Sequence, residues 1–268
     1  MTRSAHPVVS AAFDREWPEA AADLVTLRGK APLVHCITNI VAATITANVL
    51  LAVGAAPAMV IAPEEAAMFS GIAGALLINL GTIVPPEAEA MLAAVRGAQR
   101  AGRPWVLDPV AVGALPLRTR IAAELLQFRP AIIRGNASEI LALAGAGAGG
   151  RGVDSTASSE AARETARELA RRTGAVVAVS GVIDYVTDGN TVAAVPGGHV
   201  LMTRVTGIGC ALGAVLAAFA AIAETPLRAA VSASAVFGTA GARAGSRAQH
   251  PGSFAVAFLD ELSAIGHD

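Results

Sequence analysis

A glycine turn that leads into an uncharged helix places a thiol where chemistry is possible. The segment reads Thr206-Gly-Ile-Gly-Cys210, and the apolar residues 211–220 after it are predicted to be helical. Glycines allow a tight turn and close approach to a ligand, and the first turn of a helix attracts anions through its free N–H groups and dipole. A cysteine here is expected to ionise more readily than a free one. The alternative is a glycine-rich turn that holds a small buried cysteine.

Short apolar runs alternate with helix-like segments upstream of this turn. The predicted strands are 32–36, 58–61, 75–80, 105–109, 131–134 and 175–180. The predicted helices are 41–53, 63–69, 85–101, 117–128, 138–143 and 158–172. This alternation predicts an α/β fold, with a mostly parallel central sheet and helices on both faces.

The pattern changes after residue 180. Residues 182–187 and 191–195 flank Asp188-Gly189, a strong turn signal, and are predicted to form an antiparallel hairpin. A last block, 209–265, is predicted to be helical. We predict one domain over residues 31–268, preceded by an N-terminal extension and leading helix over residues 1–30.

Composition narrows the class of function. The chain has 268 residues, 54% hydrophobic and 15% charged, with a net charge of −1, so neither nucleic acid nor an acidic membrane surface is an expected partner. Two charge-free runs, 34–62 and 205–223, are long enough to cross a membrane, but polar residues break the first and alanine and glycine dominate the second. The two cysteines, Cys36 and Cys210, fit a reducing compartment, and the predicted location is the cytoplasm. Small-molecule chemistry is therefore favoured.

Charged side chains follow several of the predicted strands. In an open parallel sheet, ligands bind beyond the carboxyl ends of the strands. Asp108, Arg134 and Glu139 stand at such ends, where a charge needs a partner or a ligand. Carboxylates hold Mg²⁺, and a guanidinium binds phosphate oxygens. The pattern is that of a site for a metal nucleotide.

Each of these residues also has a structural alternative. The run Asn136-Ala-Ser-Glu139 has the pattern of a helix capping box. Asp108 could hold a turn with the proline that follows it, and Arg134 could pair with Glu139. His35, on an apolar strand, is expected to be a hydrogen-bonded core histidine.

The order of the motifs resembles that of the hydroxyethylthiazole kinase family, the thiamine-salvage members of the ribokinase-like fold. The resemblance covers residues 32–262 and is carried by Val34-His-Cys-Ile-Thr-Asn39, Gly54-Ala-Ala-Pro-Ala-Met59 with Glu64-Glu65, Asn79-Leu-Gly-Thr82, Leu107-Asp-Pro-Val-Ala-Val-Gly113, Arg134-Gly-Asn-Ala-Ser-Glu139, Thr206-Gly-Ile-Gly-Cys210, and Pro251-Gly-Ser-Phe254 with Phe258-Leu-Asp260. It implies a three-layer sandwich and transfer of phosphate from ATP to 4-methyl-5-(2-hydroxyethyl)thiazole.

The resemblance also implies contacts to the two substrates. Asn39, Met59 and Gly207 match thiazole contacts of the family, and Arg134 and Ser180 match its contacts to ATP. Ser180 stands where a threonine is expected, and keeps the hydroxyl.

The resemblance implies catalytic and metal roles as well. Asp108 and Glu139 match the family's Mg²⁺ carboxylates, and Cys210 stands where most kinases of this fold keep an aspartate base. The N–H groups of Gly207, Ile208, Gly209 and Cys210 are expected to neutralise charge on the phosphoryl oxygens.

A homotrimer is the assembly that the resemblance implies, with Gly81 and Thr82 of one subunit reaching the thiazole of its neighbour. Two residues depart from the family pattern: Ile208 is bulkier than the expected alanine, and His250 replaces a glycine. Other ribokinase-fold functions stay open, namely another small-molecule kinase, an ATP-dependent dehydratase, or a thiamine-precursor sensor. An acid at position 210 would be expected in the dehydratase. A Rossmann dehydrogenase is disfavoured because no GxGxxG follows the first strand.

Overall fold

A computed structural model describes residues 10–145 and 158–266, in which eight strands form one sheet. The strands are β1 Leu33–Ile37, β2 Ala56–Ala58, β3 Ala75–Asn79, β4 Trp105–Asp108, β5 Ile132–Asn136, β6 Val176–Ser180, β7 Ile183–Thr187 and β8 Val192–Pro196. Their order in the sheet is β2-β1-β3-β4-β5-β6-β7-β8. The first six in this order run parallel, and β7 and β8 add to the edge in antiparallel fashion. The predicted α/β class and the predicted hairpin are confirmed.

The helices lie on both sides of this sheet. They are α1 Ser10–Glu16, α2 Pro18–Lys30, α3 Ala43–Val53, α4 Pro63–Ile72, α5 Pro85–Arg100, α6 Pro116–Leu126, α7 Ala137–Ala144, α8 Arg163–Thr173, α9 Ile208–Ala220, α10 Pro226–Arg247 and α11 Pro251–Ala264, with a 3-10 helix at Val200–Arg204. Six of the α-helices begin with proline, whose fixed φ suits the first helical position and whose missing N–H is not needed there.

Alternation along the strands divides the core into two layers. Leu77 and Val106 face α3, α9 and α10, whereas their neighbours Leu76 and Leu107 face α5 and α6. Successive side chains of a strand point to opposite faces, so an apolar run buries both. The result is the predicted three-layer arrangement.

Three predicted boundaries are wrong. The second strand is Ala56–Ala58 rather than 58–61, because the carbonyl of Val60 accepts a hydrogen bond from the His35 ring at 2.7 Å instead of joining the ladder. Helix α8 begins at Arg163 rather than 158, because residues 159–162 form a turn in which the Ser159 hydroxyl donates to Ile183 O at 2.7 Å. The helical block 209–265 is three helices, α9, α10 and α11, separated at 221–225 and 248–250.

Helix α2 packs into the same core layer as α9 and α10. Leu24 and Leu27 are buried there. The Asp23 carboxylate forms an ion pair with Arg228 of α10 at 2.8 Å and accepts a hydrogen bond from the Ser232 hydroxyl at 2.7 Å. The boundary between a leading segment and a domain at residue 31 stays a prediction. No helix within 10–145 or 158–266 combines the length and apolar character that a membrane crossing requires.

Candidate active site

The glycine turn and the first turn of α9 take the predicted form. Gly207 caps the helix with φ of 82°, in the left-handed region, and a Cβ there would lie 2.5 Å from Ile45 Cγ2, so only glycine fits. Hydrogen bonding along the helix starts where Ala211 N donates to Gly207 O at 2.9 Å. The earlier N–H groups, up to that of Cys210, are free of helical partners, as at any helix N-terminus.

Two further glycines allow α9 to lie directly on the sheet. A Cβ at Gly209 would come within 3.4 Å of Arg134 Nη2, and one at Gly213 would lie 2.9 Å from Leu77 Cδ1 and 3.5 Å from Asp108 Oδ2. The lack of side chains at these positions brings the helix N-terminus against the charged ends of β4 and β5. The thiol and the charged strand ends therefore form one site.

A chain of side-chain amides connects Cys210 to Asp108. Asn39 Nδ2 donates to Cys210 Sγ at 3.3 Å and to Asn79 Oδ1 at 2.9 Å, and Asn79 Nδ2 donates to Asp108 Oδ2 at 2.7 Å. Asn79 and Asp108 are register partners at the ends of β3 and β4. Their side chains meet because directly paired residues of adjacent strands project to the same face.

Asp108 and Arg134 form a buried ion pair. Asp108 is fully buried, and its Oδ2 lies 3.5 Å from Arg134 Nη1, whereas its Oδ1 has no hydrogen-bond partner among the described residues. Burial raises the pKa of Asp108 to about 7, opposed by Arg134 and reinforced by Glu139. Burial acts to lower the pKa of Arg134, but Asp108 and Glu139 outweigh it and raise it. A buried carboxylate oxygen without a partner is a place where a cation or a polar ligand group can bind.

Arg134 also connects β5 to β6. Its Nε donates to Ser180 Oγ at 3.1 Å, which brings together the two residues predicted to contact ATP. Asp184 on β7 raises the pKa of Arg134 as well, and Asp184 Oδ1 accepts the Gly181 N–H at 2.9 Å. The guanidinium therefore contacts Asp108 on β4 and Ser180 on β6, and the Asp184 carboxylate on β7 adds a favourable charge.

Glu139 has the capping role that the sequence left open. Its Oε2 accepts Asn136 N at 2.9 Å, and Asn136 Oδ1 accepts Glu139 N at 2.9 Å, which completes a capping box on α7. Its Oε1 accepts Ala111 N at 3.1 Å. The suggested bridge to Arg134 is wrong as a pairing, because the ion pair of Arg134 runs to Asp108.

The residues of this site could supply only part of the coordination shell of Mg²⁺. Within the described residues, no group of three or more His, Cys, Asp or Glu side chains could hold a metal. The free Oδ1 of Asp108, with Glu139 close enough to raise the Asp108 pKa, offers carboxylate oxygen from two residues. Mg²⁺ commonly uses one or two carboxylates and completes its shell with water and substrate phosphates. The residues present suit that mode.

The expectation that Cys210 ionises readily is wrong. Burial and the nearby Asp108 raise the pKa of the thiol, and Arg134, Asn79 and Asn39 lower it by less. The position at a helix N-terminus was correct, but the sequence did not reveal that the same position is largely buried beside a carboxylate. Cys210 is therefore a neutral thiol in the free protein.

Alkylation measures this directly. Because the raised pKa reduces the thiolate fraction at any given pH, we expect iodoacetamide to modify Cys210 slowly at pH 7, with a rate still rising at 9.0, the ordinary thiol pKa. Peptide mass spectrometry over a pH series measures the rate. The other free thiol, Cys36, is fully buried, with its pKa raised by burial, and should stay unmodified. A rate that levels off below pH 8 would contradict the assignment.

Three predicted thiazole contacts, Gly81, Thr82 and Met59, lie just after the ends of β3 and β2. Gly81 packs on Asn39 of its own chain, since a Cβ there would lie 2.8 Å from Asn39 Nδ2. Thr82 takes a positive φ of 50°, and its hydroxyl accepts Ile40 N at 3.2 Å. Met59 follows the edge strand β2 and packs half-buried against the core layer that contains α9. The supply of Gly81 and Thr82 by a neighbouring subunit stays a prediction.

The predicted core histidine is confirmed, and two site residues were unassigned. His35 is buried and donates from Nε2 to Val60 O, while its Nδ1 lies 2.8 Å from Ser70 Oγ. Burial lowers its pKa, so it stays neutral. Asn79 belongs to a motif of the resemblance but has no role in the sequence analysis, although it lies two residues after Leu77 on β3 and therefore projects to the same face as Asp108. Asp184 carried no signal, because its approach to Arg134 depends on how the hairpin folds back.

Comparison with known proteins finds relatives over most of the chain. A model described as the hydroxyethylthiazole kinase family matches residues 24–268. A relative named hydroxyethylthiazole kinase from Leptospira interrogans is 56% identical over 255 residues, covering 94% of this chain and 96% of the relative. A solved structure of hydroxyethylthiazole kinase protein from Pyrococcus horikoshii OT3 is 41% identical, with a TM-score of 0.85, over 92% of this chain and 93% of that one.

A more distant structure shows the fold alone. The pyridoxal kinase from Staphylococcus aureus in complex with AMP-PCP and pyridoxal is 16% identical, with a TM-score of 0.59, over 79% of this chain and 87% of that one. Together with the sheet order and the two helical layers, the likeness confirms the predicted ribokinase-like architecture.

Proposed function

This chain belongs to the hydroxyethylthiazole kinase family, and from that premise we propose that Cys210, Asp108 and Arg134 carry its reaction. The activity is transfer of the γ-phosphoryl group of ATP to the alcohol of 4-methyl-5-(2-hydroxyethyl)thiazole in thiamine salvage. The observation that carries the assignment is the contact of a thiol-bearing helix N-terminus with a buried carboxylate–guanidinium pair. One site therefore combines a proton acceptor, Cys210, with two groups that neutralise phosphate charge, the N-terminus of α9 and Arg134.

The phosphate side of the site is built from fixed positive groups. The N–H groups from Gly207 to Cys210, at the start of α9, face the charge that develops on the transferred phosphoryl group. The Arg134 guanidinium, held by Ser180 Oγ at 3.1 Å, binds phosphate oxygens. These donors need no reorganisation as the charge grows, so they favour the transition state.

The alcohol side depends on Asn39 and Cys210. The alcohol oxygen forms the new bond to phosphorus as the bond to the β-phosphate oxygen breaks, and the hydroxyl proton leaves late in a loose transition state. The hydroxyl proton passes to Cys210 in the fraction of the protein in which this residue is a thiolate; burial and Asp108 keep that fraction small, and Arg134, Asn79 and Asn39 oppose them by less. Positioning therefore contributes more than base strength, and a thiol suffices.

Mg²⁺ fits the carboxylate end of this site. Asp108 would hold it through Oδ1, and Glu139 through water, because both Glu139 oxygens already accept backbone N–H groups. When bound, the ion neutralises charge on the phosphates.

A coupled assay tests the activity. ADP release is measured with the thiazole alcohol, with hydroxymethylpyrimidine and with no acceptor. We expect release only with the thiazole alcohol, and detection of the phosphorylated thiazole by mass spectrometry. Release without an acceptor would favour a hydrolase, and release with the pyrimidine alone would favour another small-molecule kinase. Binding of the thiazole without turnover would favour a sensor.

We also propose a cytoplasmic location, in keeping with the two free cysteines.

We propose a homotrimer with sites shared between subunits. Three apolar side chains that follow the neighbouring strands β1, β2 and β3 are exposed: Ile40 at 76%, Ile61 at 53% and Val84 at 49%. Exposed apolar clusters of this kind mark interfaces. Val84 follows the segment with Gly81 and Thr82, so an interface there would bring that segment to a neighbour.

Co-expression distinguishes a shared site from a site within one chain. Thr82→Arg and Cys210→Ala chains are each expected to be nearly inactive alone. If Thr82 acts on the neighbour, mixed rings contain sites with neither defect and regain part of the activity. If Thr82 acts only beside Asn39 of its own chain, every site keeps a defect. Thr82→Ser, which keeps the hydroxyl that accepts Ile40 N, is the control and should stay active. No rescue in rings confirmed as mixed would contradict the proposal.

A further inference from the structure

Asn79 lies at the centre of the site, between Asp108 and the pair formed by Asn39 and Cys210. The residue is fully buried at the end of β3. Its side chain joins three partners of the site: Asn39 Nδ2 at 2.9 Å, Gly81 N at 3.0 Å and Asp108 Oδ2 at 2.7 Å. Every hydrogen bond described for this side chain thus goes to a residue of the site.

Backbone groups fix the direction of these hydrogen bonds. Gly81 N–H can only donate, so the Asn79 atom that it meets is the carbonyl oxygen, and the Asn79 amide must face Asp108. In the same way, Ala42 N donates to Asn39 Oδ1 at 2.9 Å, so the Asn39 amide must face Asn79 and Cys210. Both side chains therefore donate toward the two acidic groups, Asp108 and Cys210.

We propose that Asn79 is a positioning residue that holds both acidic groups of the site in their working geometry. Its amide occupies Oδ2 of Asp108 together with Arg134, which leaves Oδ1 as the free oxygen. Its carbonyl takes one hydrogen of the Asn39 amide and so directs the other at Cys210 Sγ. The proposal deepens the proposed function and rests on it for the roles of Asp108 and Cys210.

The same chain contains a matched arrangement away from the site. Asp23 Oδ2 accepts the Ser232 hydroxyl at 2.7 Å and pairs with Arg228, much as Asp108 Oδ2 accepts Asn79 and pairs with Arg134. That pair connects α2 to α10, where no catalytic role is assigned. Ser232→Ala removes a buried hydrogen bond to a carboxylate that is as long as the bond from Asn79 to Asp108, 2.7 Å. The variant therefore controls for a loss of stability without a loss of catalysis.

Kinetics give the first readout. We expect Asn79→Leu and Asn79→Ala to lower kcat by on the order of a hundredfold, the effect of a misplaced catalytic group, with smaller changes in KM for ATP and for the thiazole alcohol. Ser232→Ala should lower the melting temperature and keep wild-type kcat when assayed well below it. Wild-type kcat in either folded Asn79 variant, or an equal loss of kcat in Ser232→Ala, would overturn the proposal.

Alkylation of Cys210 gives a readout that needs neither substrate nor metal. Without Asn79, the thiolate loses the effect of the Asn79 amide itself, and the Asn39 amide loses the partner that directs its second hydrogen at Cys210 Sγ, so the thiolate is less favoured. We expect iodoacetamide to modify Cys210 several-fold more slowly in Asn79→Leu than in the wild type, at the same pH. A merely structural role would loosen the site and speed the modification, and a faster or unchanged rate would overturn the proposal.

The two readouts separate this proposal from the proposed function. An unmutated protein that does not phosphorylate the thiazole alcohol would overturn the function, while slower alkylation in Asn79→Leu would still support the positioning of Cys210. An active unmutated protein with an unaffected Asn79→Leu variant would overturn the positioning role alone.

Discussion

Replacing Asp108 with asparagine is expected to lower turnover by about a hundredfold to a thousandfold, the range seen when one preorganised electrostatic group is removed. The amide oxygen of the substituted side chain can still accept Asn79 and face Arg134, so the new NH₂ group takes the place of the free Oδ1. An NH₂ group at this position repels Mg²⁺, so the side chain can no longer bind the ion together with the phosphates of ATP. The fold should survive, while the Mg²⁺ concentration needed for half-maximal rate should rise.

Steady-state rates over a magnesium series, with a thermal melt of each variant, measure this. Asp23→Asn is the matched control, because Asp23 is also a buried carboxylate paired with an arginine. That variant should lose stability and retain turnover. An unchanged magnesium curve and wild-type turnover in Asp108→Asn would remove the metal assignment.

Glu139→Gln tests the second carboxylate at the same time. Its two oxygens each accept a backbone N–H, from Ala111 and Asn136. A glutamine keeps one acceptor and sets an NH₂ against the other N–H, so some loss of stability is expected even if no metal binds. Only a shift of the magnesium curve beyond that loss would support a metal role.

Replacing Cys210 with alanine is expected to lower turnover by about a hundredfold, the low end for a proton acceptor, because a loose transition state asks little of a base. Cys210→Asp should stay active, since a carboxylate accepts the Asn39 amide and the alcohol proton in the same place. ATP affinity should change little in both variants, because the proposed nucleotide contacts, Arg134 and Ser180, lie on β5 and β6.

The pH profile distinguishes the thiol from the carboxylate. Because burial and Asp108 raise the pKa of Cys210, the thiolate fraction, and with it wild-type turnover, should increase as pH rises above neutrality. In Cys210→Asp that increase should disappear, since the carboxylate is ionised at lower pH. Cys36→Ala, which removes a buried thiol from β1, is the control and should leave turnover and its pH profile unchanged. Wild-type turnover in Cys210→Ala would limit the thiol to packing.

Local patterns in the sequence were enough to predict the layers and the edge of the sheet that holds the site. Apolar runs at strand length, helix-like segments between them and the Asp188-Gly189 turn predicted the α/β class and the hairpin. The capping box at Asn136 to Glu139 and the glycine turn at Gly207 were readable because each depends on contacts within a few residues. The predicted roles of the individual site residues remain predictions.

Only the tertiary structure determined how these pieces act on one another. The bond from Asn39 to Cys210 joins residues 171 positions apart, and the bond from Asn79 to Asp108 depends on the register of β3 and β4. The pKa of Cys210 was predicted in the wrong direction for the same reason. A helix N-terminus is a local feature that favours a thiolate. The pKa of Cys210 is nevertheless raised, because burial and the Asp108 carboxylate act on it from strands distant in sequence. Desolvation depends on everything that surrounds a group in space.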